Sequence, residues 1–173
     1  MGIHVEINEA KKLVGYCGIY CGSCGMFRGR IYAKLAQEFL EVIIAAGYPD
    51  ELTINPNSDK PDFDFNEFLK GLEYLSKENS GAYCQEPCKQ GGGVNCEFRS
   101  CVKGKGLDIC YECKDFPCEY FLRTFKNSAE KQQDYERFKK LGFDGWIRFQ
   151  TERSDKGYSN ATRKYYAQAK KEK

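Results

Sequence analysis

Cysteine is the residue type that could carry chemistry in this chain. The 173 residues include ten cysteines but a single histidine, His4. Cysteine thiolates bind zinc and iron–sulfur clusters, so we predict that the cysteines are metal ligands. The candidate ligands are Cys17, Cys21, Cys24, Cys84, Cys88, Cys96, Cys101, Cys110, Cys113 and Cys118.

Several neighbouring cysteines have the spacing of metal-binding turns. Three residues separate Cys17 from Cys21, while two separate Cys21 from Cys24 and Cys110 from Cys113. A tight turn of this length places both sulfurs on one side of the chain. Glycine directly follows each of the three N-terminal cysteines, which relieves the strain of a backbone that wraps closely around an ion.

The number of ligands limits the sites that can form. With one histidine, a zinc site of two cysteines and two histidines is excluded, and at most one site can combine His4 with three cysteines. Ten cysteines fill two four-thiolate sites and leave two, which could be buried thiols, ligands of an open site or reactive groups. The N-terminal three need a fourth ligand from His4, from outside, or from the later cysteines. In the last case the metal would close a long loop.

The identity of the metal is open between two main alternatives. The spacing of Cys17, Cys21 and Cys24 is also that of radical S-adenosylmethionine enzymes, which leave one iron of their cluster open. However, Ser23 stands where those enzymes usually have an aromatic residue, and the ferredoxin run C-x2-C-x2-C-x3-C-P is absent. We therefore predict zinc, with an iron–sulfur cluster as the alternative and disulfides or free thiols as a third possibility.

Charged residues lie among the later cysteines. Basic side chains there could offset thiolate charge, or they could be ordinary surface charges balanced by acidic neighbours. The basic residues are Lys89, Arg99, Lys103, Lys105 and Lys114, and the acidic ones are Glu86, Glu97, Asp108, Glu112 and Asp115.

Hydrophobic periodicity predicts the helices that must position these cysteines. One apolar stripe, expected to pack in the core, comprises Ile31, Leu35, Phe39, Leu40, Ile43 and Ile44, and Gly47 follows it as a C-cap. A second stripe predicts a helix from about 65 to 75, and it comprises Phe65, Phe68, Leu69, Leu72 and Leu75.

The remaining segments complete a mainly α prediction. Residues 3–14 alternate weakly and are expected to form a strand or an irregular arm, whereas residues 53–62 have the composition of a loop. Pro117 suits a helix start, and Gly142 is expected to end a helix.

We predict a single domain over 1–173. In it, 17–24 and 84–118 form a loop-rich, cysteine-dense metal-binding module, and 28–80 and 117–173 form a helical body. Metal–thiolate bonds would hold a module with so little apolar material.

Composition excludes several classes of protein. The formal charge of +2 is too balanced to indicate nucleic-acid binding, and no apolar run approaches the roughly 20 residues of a membrane-spanning helix. Glu6 and Glu9 interrupt the apolar stretch at the N-terminus, so no export signal is visible and a cytoplasmic location is expected.

Three longer stretches resemble one microbial family, the cysteine-rich domain of unknown function 3795. They are VGYCGIYCGSCGMF at 14–27, CKQGGGVNCEFRSCVKGKGLDICYECKDFPCEYF at 88–121, and LGFDGWIRFQTER at 141–153. Three residues separate Cys84 from Cys88, where the family more often has two, and a Lys-rich tail replaces a further cysteine pair. The resemblance implies metal binding through shared cysteines, and it implies no particular activity.

These patterns favour a binding protein, and they leave open whether the chain is an enzyme. No nucleophile has an adjacent base, because the sole histidine lies near the N-terminus. We predict structural zinc held by thiolates in a protein that interacts with an unidentified protein or other macromolecule. The alternative is an iron–sulfur electron carrier or enzyme with an open site at Cys17, Cys21 and Cys24. A thiol redox role for Cys110 and Cys113 lacks the expected βαβ surroundings.

Overall fold

The computed structural model describes residues 7–47, 62–92, 96–125 and 128–170. It is mainly helical, which confirms the predicted fold class. Within these ranges the β-structure is limited to isolated bridges. The helices are α1 (Ile7–Lys12), α2 (Tyr32–Ala45), α3 (Phe65–Ser76), α4 (Glu97–Gly104), α5 (Glu119–Thr124) and α6 (Ser128–Asp155).

The chain forms two compact units. The first comprises Met1–Cys24 and Glu86–Lys173, and the second comprises Gly25–Gln85. Nine of the ten cysteines therefore belong to the first unit, and Cys84 belongs to the second. The prediction of one domain with a single metal-binding module stays a prediction.

The second unit consists of the two helices that periodicity predicted. α2 ends close to Gly47, whose positive φ of 77° allows the turn that follows the helix. α3 begins after Asp64, and the carboxylate of Asp64 accepts hydrogen bonds from the backbone N–H groups of Asn66 and Glu67 at 2.8 and 3.2 Å. This N-cap satisfies amides that the first turn of a helix leaves unpaired.

The core role expected of both apolar stripes is wrong for part of each. Ile31 and Ile43 are buried, but Phe39 is 51% exposed and Ile44 is 60% exposed. No residue of α3 is buried. Two packed helices bury only the strip along their contact, here marked by the edge-to-face rings of Phe39 and Phe68 at 6.2 Å. The apolar side chains beside that strip remain accessible to solvent.

Aromatic side chains form the core of the first unit. Trp146 and Phe121 are fully buried, and Tyr111 contacts the Trp146 ring at a centroid distance of 5.8 Å. α6 is interrupted at Gly142, whose φ of 68° and ψ of 174° are non-helical, as the sequence predicted. The chain then resumes as a helix and carries Trp146 and Ile147 into the core.

The N-terminal segment differs from its prediction. Residues 7–12 form helix α1 instead of a strand or an irregular arm. Ala10 and Val14 are buried in the core of the first unit, and Lys11 pairs with Asp144 of α6 at 2.6 Å. Packing against α6 thus overrides the weak alternation that suggested a strand. His4 and most of the expected loop at 53–62 lie outside the described residues.

The chain that follows α6 folds back on itself. Tyr158 and Tyr165 form an antiparallel bridge, and their rings lie 5.3 Å apart. In the described ranges, every helix is too short or too polar to cross a membrane.

Candidate metal centre

Four cysteines of the first unit surround one cavity. Its volume is about 240 Å³, and Cys101, Cys110, Cys113 and Cys118 all line it. Cys110 is buried, whereas Cys101 and Cys118 are exposed, so the cavity extends from the core to the surface. We call this group the four-cysteine cavity. Its members are separated along the chain by eight, two and four residues.

Three short elements bring these cysteines together. Cys101 lies on α4, and Cys118 immediately precedes α5. Cys110 and Cys113 bracket one 3-10 turn, in which the N–H of Cys113 donates to the carbonyl oxygen of Cys110 at 3.0 Å. The carboxylate of Glu112 accepts from the N–H of Asp108 at 2.8 Å, which holds the chain that enters the turn. These backbone and side-chain hydrogen bonds position the turn that carries Cys110 and Cys113.

The other walls of the four-cysteine cavity are largely apolar. The rings of Phe98 and Tyr120, both lining residues, lie 4.7 Å apart, and Phe116 packs edge-to-face on Phe121 at 4.5 Å. Further lining residues are Glu97, Val102, Lys105 and Leu107. Apolar walls exclude water from one side of the thiols and strengthen electrostatic interactions there.

Burial and neighbouring cysteines disfavour the anionic form of Cys110. Burial raises the pKa of Cys110 to about 12, and the neighbouring cysteines, among them Cys17, Cys101 and Cys118, add to the rise. A bound cation reverses this balance, because metal coordination deprotonates a thiol outright. A positive centre at this site would therefore favour the thiolate form of Cys110.

One lysine already offsets charge at the rim. The ammonium of Lys105 lies 3.2 Å from the sulfur of Cys113 and 3.0 Å from the carboxylate of Asp115. Hydrogen bonding to Asp115, and secondarily to Cys113, raises the pKa of Lys105, while the same lysine lowers the pKa of Asp115.

A second group of thiols lies around Cys17. Burial raises the pKa of Cys17, the backbone N–H of Ile19 and the charge of Lys131 lower it, and Cys88 and Cys96 raise it further. A guanidinium nitrogen of Arg99 lies 3.6 Å from the sulfur of Cys88. A Cβ built on Gly15 would lie 3.8 Å from the sulfur of Cys17 and 3.8 Å from the Cβ of Cys88, so an N-terminal cysteine lies close to a cysteine of the later cluster.

Glycine at position 18 is required by the turn that carries Cys17. Gly18 has a φ of 80°, and a Cβ there would lie 2.7 Å from the ring of Tyr111. The same segment is tied to the four-cysteine cavity, because the N–H of Cys110 donates to the carbonyl oxygen of Tyr16 at 2.8 Å. The positive φ of Gly18 is a conformation that glycine adopts readily, and the expectation that this turn wraps an ion stays a prediction.

The remaining three cysteines lie in two other parts of the backbone. Cys21 and Cys24 flank a 3-10 turn closed by the N–H of Cys24 and the carbonyl oxygen of Cys21 at 2.9 Å. Cys84, in the second unit, forms a parallel bridge with Phe27, and its N–H donates to the carbonyl oxygen of Met26 at 2.9 Å.

The basic residues among the later cysteines serve both of the roles considered from the sequence. Lys105 and Arg99 contact cysteine sulfurs. Lys89 instead pairs with Asp108 at 2.5 Å, and both Lys89 and Lys103 lie over the ring of Tyr16. The sequence alone could not show which basic residues contact cysteine sulfurs, because acidic residues are equally frequent among the same cysteines.

The described side chains do not form a ready-made site for a single metal ion. No group of three or more Cys, His, Asp or Glu side chains in the described ranges is drawn together tightly enough to hold one metal ion. Sequence reasoning also missed Lys131, which is distant from Cys17 in sequence and carries no motif.

Comparison with known proteins gives a family and nothing more specific. No curated protein matches the chain, and no solved structure does either. A family model described as "Protein of unknown function (DUF3795)" matches residues 13–123, which is well over half of the chain and includes all ten cysteines. The chain therefore belongs to this cysteine-rich family of unknown function, DUF3795.

Proposed function

We propose that the chain is an iron–sulfur protein in which the four-cysteine cavity holds a [4Fe–4S] cluster. The observation that carries this proposal is the arrangement of Cys101, Cys110, Cys113 and Cys118 around one cavity. Four cysteine thiolates are the usual ligand set of such a cluster. The proposed role is one-electron transfer, the common function of a cluster held by four cysteine thiolates.

The size of the cavity favours a cluster over a single ion. Zn–S bonds of about 2.3 Å in a tetrahedron bring the sulfurs to about 3.8 Å from one another. In the described residues, no group of three or more Cys, His, Asp or Glu side chains meets the requirement of a single bound ion. The cavity volume of about 240 Å³ also far exceeds the roughly 10–15 Å³ that one small occupant such as water needs. A cluster of four irons and four sulfides would occupy much more of this space.

The electrostatics of the cavity support the same assignment. A [4Fe–4S] core of charge +2 with four thiolates has a net charge of −2, and Lys105 at 3.2 Å from the Cys113 sulfur offsets part of it. The apolar walls formed by Phe98, Val102 and Phe116 would shield the cluster from water. Shielding and N–H···S hydrogen bonds are among the features that set cluster potentials.

Metal analysis of protein purified without oxygen tests the proposal. We expect iron and acid-labile sulfide in equal amounts, together with broad absorption near about 400 nm that dithionite bleaches. Cys110→Ser and Cys113→Ser should lose this centre. Ser100→Ala is a matched control, because it alters an exposed side chain on α4 beside Cys101 without removing a thiol. A wild-type protein that takes up no iron or sulfide would refute the proposal.

Structural zinc is the second candidate, and the turn at Cys110 and Cys113 favours it. A C-x2-C turn closed by a backbone hydrogen bond has the form of a zinc knuckle, and small side-chain rotations would draw its thiols together. The protein would then act through binding to another macromolecule, for which exposed apolar residues such as Phe39, Val42 and Ile44 offer contact area. Colourless protein with about one zinc per four-cysteine site would favour this alternative.

A further inference from the structure

One side of α2 exposes a stripe of apolar side chains. Four such residues follow one another at intervals of three, four and three positions, which places them on one side of a helix. They are Tyr32, Leu35, Phe39 and Val42, and all four are exposed. The buried residues of this helix lie on a different side, and they are Ala33, Ala36 and Ile43.

α3 continues this apolar surface. Phe68 and Leu75 are seven positions apart, so they share one side of α3, and both are exposed. The rings of Phe39 and Phe68 meet edge-to-face at 6.2 Å, which joins the exposed sides of the two helices. Phe63 extends the surface, because its ring packs edge-to-face on Phe68 at 6.0 Å. We call the four residues of α2, together with Phe63, Phe68 and Leu75, the α2–α3 face.

We propose that the α2–α3 face pairs with the same face of a second copy of the chain and so forms a symmetric dimer. A two-fold axis close to Phe39 and Phe68 brings identical surfaces into contact, and the two helices of each copy together make a four-helix arrangement. Within one chain, no residue of α3 is buried. Helices gain most of their stability in proteins by packing an apolar face, and the second copy supplies that packing for α3.

The area of the α2–α3 face matches what a stable dimer needs. A fully exposed large apolar side chain presents roughly 150–250 Å², and the seven residues are 36–64% exposed, so the face amounts to roughly 600 Å² per chain. This is the upper end of the largest apolar patch on a typical monomer. About 65% of a homodimer interface is apolar, so the dimer would bury about 900 Å² per chain. Stable interfaces bury about 800 Å² per partner.

The charged side chains of α3 do not oppose the pairing of two copies. Lys70 pairs with Glu67 at 2.6 Å, and Lys77, which follows the helix, pairs with Glu73 at 2.8 Å. Because these carboxylates are neutralised within their own chain, identical surfaces meet with little like-charge repulsion. The same pairing leaves these carboxylates little attraction for a strongly basic partner, which favours a second copy as the occupant.

Sedimentation equilibrium of the full chain, kept reduced and without oxygen, tests the dimer. Interfaces of this size have dissociation constants in the micromolar range or below, so the wild type should be mostly dimeric at about 50 μM. Val42→Lys should raise the dissociation constant at least about tenfold, because it places a cation in the contact of both copies. The new lysine would follow Glu38 by four positions, a spacing that stabilises a helix. Leu75→Lys should act in the same way from α3.

Ile44→Lys is the matched control on α2. Ile44 is 60% exposed, much like Val42, but two further positions turn its side chain by about 200° around the helix axis. The control should therefore leave the dissociation constant unchanged within about twofold. Circular dichroism should show the wild-type helix content in all three variants.

Hydrogen exchange of the wild type tests the same face without any substitution. Amide exchange in α2 and α3 should slow as the protein concentration rises from about 1 to about 100 μM, whereas exchange in α6 should stay constant. A wild type that is monomeric at about 100 μM, with exchange independent of concentration, would overturn the dimer and leave the face to a different protein. A dimer that resists both face substitutions, or that is lost equally in Ile44→Lys, would also overturn the proposal.

Discussion

Removal of the Asp134 carboxylate should destabilise the first unit strongly. The side chain of Asp134 is 5% exposed, and that of its partner Arg153 is 9% exposed. One carboxylate oxygen accepts hydrogen bonds from Arg153 and from Gln150, both at 3.0 Å, and the other accepts from Arg137 at 3.2 Å. Asp134→Ala therefore leaves the buried cation of Arg153 without its counter-charge.

The size of the effect follows from this burial. Breaking a buried ion pair by removal of one partner costs about 3–5 kcal/mol. For a chain of 173 residues, this corresponds to a decrease in Tm of roughly 6–20 °C. Glu136→Ala is a matched control on the same helix, because the pair of Glu136 with Lys139 at 2.7 Å is exposed and screened by solvent, so its loss should change stability little.

Thermal and urea unfolding of anaerobically prepared protein, followed by circular dichroism, measure both variants. We expect Asp134→Ala to lose several times more stability than Glu136→Ala. If the two variants lie within about 1 kcal/mol of each other, the Asp134 network does not stabilise the unit in the way that its burial implies.

Three other outcomes are expected. Gly18→Ala should lower the free energy of unfolding by at least about 1 kcal/mol, because position 18 has a positive φ and a Cβ there would contact Tyr111. Gly71→Ala, at an exposed position of α3, should instead raise the free energy of unfolding by roughly 0.5–1 kcal/mol. Equal effects of the two substitutions would contradict this prediction. Lys105→Met should lower the reduction potential of the cavity cluster in a redox titration, because it removes a positive charge and an N–H···S contact. Lys114→Met, the control, should shift the potential less. A larger shift in Lys114→Met than in Lys105→Met would refute the role of Lys105. Chelation of the metal should lower Tm and expose residues 84–118 to proteases, and an unchanged Tm would show that the segment holds itself together.

Local signals in the sequence account for much of the fold. The period of the apolar residues located α2 and α3, and Gly142 marked a real break in α6. The same reasoning could not anticipate α1, because its helical form depends on contacts of Ala10 and Lys11 with distant residues of the first unit. It also overestimated burial on α2, since periodicity identifies an apolar face but not the area that a neighbour covers.

The candidate site was only partly accessible from sequence. Cysteine type and spacing pointed to metal, and the C-x2-C pair at Cys110 and Cys113 does lie on one cavity. Which more distant cysteines join a pair depends on tertiary contacts, such as those that bring Cys101 and Cys118 to the same cavity. The proximity of Cys17 to Cys88 also depends on tertiary contacts, and the spacing of the cysteines along the chain does not predict it.

Anomalous diffraction from crystals grown without oxygen tests the central claim most directly. Data collected on both sides of the iron absorption edge should give a strong difference peak inside the four-cysteine cavity, bonded to Cys101, Cys110, Cys113 and Cys118. Four ordered thiols with no metal between them, or a peak that responds at the zinc edge and not at the iron edge, would contradict the account.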